Sequence, residues 1–297
     1  MRERLWARAE TIMRTVSPRH RRWDALLASL TLDPDAMTLP VEDPPPSSFI
    51  ICGSPRSGTS LVAAALFQPP MVVTVMEPWD AFRLPPSELF GGLRHEIQQL
   101  GELRRGRLDI EELKQTGAVR WVRDGEKPTT LRVQDDFLLG VKMPAFWRYL
   151  PLLPNTRFIV CIREPTETIE SYVRKGGRLG VGLDYDVPFN RAMNATLGEI
   201  ANESERQVAM YDYIYERIIP FLDRPNVHTV RYEDWHEDAD GVLVDLGAFL
   251  GCDLSSSSVT IDAPRALKPD GHVAPQLVRQ PRCAAVLGYS MPEGNAL

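Results

Sequence analysis

Short, nearly solid apolar runs alternate along this chain with longer stretches of helical period, the pattern of a sheet buried on both faces by helices. Phe49-Ile50-Ile51-Cys52 is the first run, Val72-Val73-Thr74-Val75 the second and Arg157-Phe158-Ile159-Val160-Cys161-Ile162 the third. His228 falls in a later strand that runs into Val230-Arg231-Tyr232-Glu233-Asp234. Between them, Leu61 to Phe67, Leu93 to Leu100, Asp109 to Lys114, Thr166 to Lys175 and Val242 to Leu250 read as helices, the last stopped by Gly251. Residues 188–221 carry Met193, Leu197, Ile200, Val208, Tyr211, Tyr215 and Ile218 at helical spacing and read as a long core helix. Leu5, Trp6, Ala9, Ile12, Met13 and Val16 mark an amphipathic helix near the start. Asp43-Pro44-Pro45-Pro46-Ser47 then reads as a stiff, extended linker into the core.

The junction after the first strand carries the sharpest chemistry. Gly53-Ser54-Pro55-Arg56-Ser57-Gly58-Thr59-Ser60 has the length and glycine spacing of a phosphate-binding loop, but Thr59 stands where a nucleoside-triphosphate loop needs lysine. Strand, loop and helix follow in the required order. The two glycines allow a tight turn and close backbone approach, so the amides of Ser57 to Ser60 can face an anion at the positive end of a new helix. Arg56 supplies a guanidinium, and Thr59 and Ser60 supply hydroxyls. Pro55 belongs to the same cradle. A plain Gly/Ser turn is the bland alternative.

A second phosphate motif follows the third strand. That strand delivers Arg163 to its C-terminal end, and Pro165 suits the first turn of the helix beyond, with Glu164, Glu167 and Glu170 in or near its N-terminal half. Ser171 lies eight residues after Arg163. That is a little over two turns at about 3.6 residues per turn, which lets the hydroxyl face the arginine as a second clamp.

G-x-P-R-S-G-T-S after a first strand, with R-x-P and a serine eight residues beyond its arginine, resembles the sulfotransferase family. The resemblance implies 3′-phosphoadenosine 5′-phosphosulfate (PAPS) as donor and 3′-phosphoadenosine 5′-phosphate (PAP) as product. It likens Pro55 to Ser60 to the 5′-phosphosulfate site, and Arg163 with Ser171 to the 3′-phosphate site. Val141-Lys142-Met143-Pro144 resembles the K-x-P stretch of carbohydrate and heparan-type members, and Val230 to Asp234 a recurrent Y-E-D segment. The likeness spans about residues 49 to 250. The implied fold is α/β, a P-loop NTPase-like three-layer arrangement with a mainly parallel central sheet and an N-terminal helical extension. Residues 1–46 form the basic extension and Pro-rich linker, and 47–297 a sulfotransferase-like domain with an irregular C-terminal tail.

A hydroxyl acceptor that attacks sulfur must lose its proton, so a base is needed. Glu77 lies just past the second strand, on the edge where open α/β sheets bind ligands. Bacterial carbohydrate members commonly carry a glutamate-proline pair there, which makes Glu77 the candidate base, with Pro78 keeping it out of helical geometry. Arg56 and Lys142 are the candidate stabilisers of the transferring sulfonate and the leaving oxygen. The simpler readings are a solvated loop glutamate at 77 and a lysine at 142 that snorkels to water. Of the five histidines, His95 fits a surface helix, while His236 and His272 fall in irregular segments.

Composition narrows the setting. At 297 residues, 43% hydrophobic, the chain is long enough for a large core. A formal charge of −6 argues against a general nucleic-acid binder. Met1-Arg2-Glu3-Arg4 lacks the apolar core of a signal peptide, and no apolar run approaches the roughly 20 residues of a membrane span. The expected location is therefore cytoplasmic. Cys52, Cys161, Cys252 and Cys283 are isolated and read as reduced thiols rather than a metal set, and no metal is called for. Seven arginines against Glu3, Glu10 and Asp24 give residues 1–30 a local charge of +4, suited to a peripheral membrane or dimer contact or to a solvated face. Arg279 and Arg282 in the tail are candidates to reach nucleotide.

The expected activity is in-line transfer of a sulfonate group to a hydroxyl of a carbohydrate, glycolipid or other small-molecule acceptor. Two other readings stay open. A P-loop small-molecule kinase would need a Walker lysine and a strand-end carboxylate for Mg²⁺, the nearest being Glu233 or Asp234. A non-catalytic nucleotide-binding protein would keep both clamps without chemistry.

Overall fold

The computed structural model describes residues 41–82, 84–103, 129–174, 191–254 and 279–289. The amphipathic stretch of residues 1–30, the short helix expected at Asp109 to Lys114 and His272 lie outside them.

Five strands form the main sheet: β1 (Ser48–Gly53), β2 (Val72–Met76), β5 (Leu138–Lys142), β6 (Arg157–Ile162) and β7 (Val227–Arg231). A separate antiparallel pair joins β3 (Glu102–Leu103) to β4 (Thr129–Thr130). In the main sheet the order is β2-β5-β1-β6-β7 and every pairing is parallel. The chain runs outward from β1 to β2, returns through β5 beside β1, and crosses to β6 on its other side. That reversal beside β1 is the kind of topological switch point beyond whose C-terminal strand ends such sheets take ligands.

Parallel strands cannot be joined by tight turns, so helices cover both faces. Seven α-helices are described: α1 (Thr59–Ala65), α2 (Pro86–Leu100), α3 (Pro165–Arg174), α4 (Arg191–Gly198), α5 (Glu203–Ile218), α6 (Asp234–Glu237) and α7 (Ala239–Leu250). Side chains alternate across the sheet. Ile50 and Cys52 of β1 share one core with α2, α3, α4 and α5, while Phe49 and Ile51 share the other with α1, α6 and α7. The three-layer α/β fold expected from the sequence is the one observed.

Several boundaries differ from expectation. The long helical stretch at residues 188–221 is broken: α4 ends at Gly198, and α5 restarts with Asn202 as cap, its side chain accepting from the Glu205 amide at 3.1 Å. The proline-rich entry is tied down, since Asp43 accepts hydrogen bonds from Thr156 Oγ1 (2.6 Å) and Asn155 Nδ2 (2.9 Å). His236, expected in irregular chain, lies in the single turn of α6. His95 is exposed on α2, as its helical setting implied.

Candidate active site

Every candidate side chain for chemistry emerges at the C-terminal edge of the sheet or on a helix that starts there. Gly53 ends β1, Glu77 follows β2, Lys142 ends β5, Arg163 follows β6 and Tyr232 follows β7. Register fixes their neighbours: Lys142 is level with both Met76 and Ile51, and Gly53 with Cys161.

The loop at Gly53 is shaped by steric necessity. A Cβ on Gly53 would lie 2.4 Å from the Cys161 carbonyl oxygen, and φ there is +141°. Gly58 has φ +93°, and a Cβ on it would lie 2.7 Å from the Tyr232 ring. Both positions therefore demand glycine. Ser57 ties the turn, its amide and hydroxyl both donating to the Ser54 carbonyl at 3.1 and 2.6 Å. The first helical bond of α1 is Val62 N to Gly58 O, so the amides of Thr59 and Ser60 stand ahead of the ladder, available to an anion. Pro55 sits at the turn between Ser54 and Arg56. Arg56 itself holds φ +75°, a conformation non-glycine residues rarely adopt.

That turn sends Arg56 across to the second motif. Its Nε donates to Ser171 Oγ at 2.8 Å, which joins the loop after β1 to α3. Ser171 thus faces Arg56, whereas Arg163 has other company. The Arg163 guanidinium lies 4.1 Å over the Tyr232 ring and donates through Nε and Nη2 to Glu167 Oε2, at 3.1 and 2.6 Å. Its Nη1 makes a long 3.5 Å contact with the Arg56 carbonyl. The arginines of the two motifs therefore share one cluster, in which Ser171 is bonded to Arg56 and Arg163 to Glu167.

Glu77 and Lys142 are bonded twice. The Glu77 amide donates to the Lys142 carbonyl at 2.7 Å, and Lys142 Nζ donates to Glu77 Oε1. Their side chains are only 17% and 5% exposed, so neither the solvated glutamate nor the snorkelling lysine is what the chain forms. Glu77 has φ +44°, strain that Pro78 and the bond to Lys142 hold in place.

Further side chains, none of them given this role by the sequence, support this edge. Tyr211 and Tyr215 of α5 donate to the carbonyls of Arg163 (2.9 Å) and Cys161 (3.0 Å). Glu233 accepts from the Glu164 amide at 2.8 Å and from Tyr289 OH at 3.0 Å. Burial and Glu233 together push the Tyr289 phenol above its ordinary range. Tyr232 forms an edge contact with the His236 ring at 4.9 Å, and burial, then Arg163, lower the His236 pKa. Tyr232 was visible in the Y-E-D segment, but its place between Gly58 and Arg163 was not. Arg279 donates to buried Asp212 at 2.8 Å, and Arg282 pairs with Glu216 at 2.8 Å.

Among solved structures the chain is similar to the sulfotransferase domain from the curacin biosynthetic pathway, at 21% identity and TM-score 0.47, over 84% of this chain and 100% of that one. It is also similar to the sulfotransferase domain of the Synechococcus PCC 7002 olefin synthase, at 21% identity and TM-score 0.44, over 84% and 97%. A mouse sulfotransferase complexed with PAP matches at 14% identity and TM-score 0.40, over 79% and 66%. No curated protein sequence matches the chain. The family model for the sulfotransferase family, however, matches residues 47–256, more than half of the chain and both phosphate motifs, so the chain belongs to the sulfotransferase family.

Proposed function

We propose that this sulfotransferase takes its sulfonate group from PAPS and passes it to a hydroxyl of a carbohydrate, glycolipid or other small-molecule acceptor. The observation that carries the reading is the Arg56 to Ser171 hydrogen bond. It makes one polar cluster of the loop after β1 and the motif after β6, beside the Glu77–Lys142 pair on the same sheet edge. A triphosphate needs only the first of those motifs. A nucleotide phosphorylated at both its 3′ and 5′ positions uses both.

The cradle suits such a donor: Gly58 leaves the space a Cβ would fill, and Pro55 to Ser60 with Arg56 would hold the 5′-phosphosulfate. Arg163 and Ser171 would hold the 3′-phosphate. When bound, the donor supplies an activated sulfonate on a phosphate leaving group. Glu77 accepts the acceptor hydroxyl proton as the new oxygen–sulfur bond forms and the sulfur–phosphate oxygen bond breaks. Lys142, already beside Glu77, then has a second anion to serve. Its ammonium turns toward the leaving oxygen, which leaves a Glu77 oxygen open to the acceptor. The glutamate-proline and K-x-P features favour a sugar acceptor. The isolated cysteines favour a reducing, cytoplasmic setting. Among the described residues no helix is long and apolar enough to cross a membrane.

Glu77→Gln tests the assignment. Transfer from labelled PAPS to an acceptor panel should fall by about 10²- to 10⁴-fold, while PAP binding by calorimetry stays close to wild type. Full residual transfer would remove Glu77 from the mechanism, and tighter binding of ATP than of PAP would remove PAPS as donor.

A further inference from the structure

The Arg163 fork is met by an anion of its own chain. Glu167 Oε2 receives two hydrogen bonds from Arg163, through Nε and Nη2. The guanidinium is held from behind by the Tyr232 ring at 4.1 Å and is 15% exposed, so its direction is fixed. The Glu167 side chain is 44% exposed, so solvent lies on its outer side. Its backbone is secured separately, because the Glu167 amide donates to Glu164 Oε2 at 2.7 Å, and the Glu164 amide donates to Glu233. Release of the carboxylate therefore need not unravel the start of α3.

A guanidinium fork takes a phosphate with the same geometry as a carboxylate. A carboxylate and a phosphate dianion on the same two N–H groups would also repel each other. We propose that Glu167 occupies the Arg163 fork as a stand-in for the donor's 3′-phosphate, so that nucleotide binding is an exchange of carboxylate for phosphate. This rests on the reading that Arg163 receives the 3′-phosphate. A nucleotide lacking that group has nothing to displace Glu167 with and leaves the pair closed. Glu167 thus lowers the affinity for a 3′-phosphorylated nucleotide by the free energy of the pair that the phosphate must break.

The test is titration calorimetry of wild type and Glu167→Gln with PAP and with adenosine 5′-monophosphate. The expected result is PAP affinity tightened roughly fivefold in Glu167→Gln, in line with the upper worth of a partly exposed ion pair, with monophosphate affinity unchanged. In an Arg163→Ala background the same substitution should make no difference. Unchanged or weaker PAP binding in Glu167→Gln, or an equal shift for both nucleotides, would overturn the exchange. Wild type that binds PAP no better than the monophosphate would instead overturn the 3′-phosphate reading itself.

Discussion

Four residues at this sheet edge, Gly53, Arg56, Gly58 and Glu77, hold backbone angles that side chains resist. For Arg56 and Glu77 the strain is offset by bonds at their tips, to Ser171 and Lys142. Gly58 has no tip, and its missing Cβ is what lets Tyr232 lie against the loop. Gly58→Ala should therefore cost about 1–2 kcal/mol from the left-handed backbone, with a further loss from the displaced ring. Urea denaturation would read the stability, and calorimetry should show weaker PAP binding as Tyr232 moves from beneath Arg163. An unaltered urea midpoint would mean that the loop can reshape around a methyl group.

At the scale of elements, α5 is the strut behind the second motif. Its Tyr211 and Tyr215 rings pack 4.5 Å apart and reach the carbonyls of Arg163 and Cys161 at the end of β6. Strand β6 also pairs with its neighbours β1 and β7, and these phenols anchor its C-terminal end from the helix side. Tyr211→Phe should destabilise by about 1 kcal/mol, the net worth of one buried hydrogen bond. PAP affinity should fall with it, because Arg163 is the residue whose carbonyl is released, whereas Tyr215→Phe should lower stability with less effect on binding. Equal binding losses in the two variants would contradict that division. The break between α4 and α5 belongs to this scale too. Asn202 with Glu205 three residues on was a readable cap signal, but the uninterrupted apolar period from Met193 to Ile218 masked it. The pairing of Ser171 with Arg56 had no such local signal, since 115 residues separate them.

Across the whole molecule, the buried edge also sets how the protein answers to pH. Burial lowers the pKa of His228, with Asp245 opposing, and burial followed by Arg163 lowers that of His236. The unfolded chain, with histidines near roughly 6.5, then binds these protons more readily than the folded one, so stability is full above that pH and declines as pH falls through it. His236→Gln should flatten this decline, measured as the difference in urea midpoint between pH 7.5 and pH 5.5. An identical difference in both proteins would place the titration at other groups. The amino-acid order by itself determined the layered α/β class, the strands β1, β2 and β6, the glycine-bounded loop and the family, because each is written in local periodicity and short spacing. Tertiary structure alone decided that Arg56 meets Ser171, that Arg163 is held by Tyr232 and Glu167, and that Glu77 meets Lys142. Those contacts depend on strand order and on which residues the register sets level, and neither is carried by any local stretch of chain.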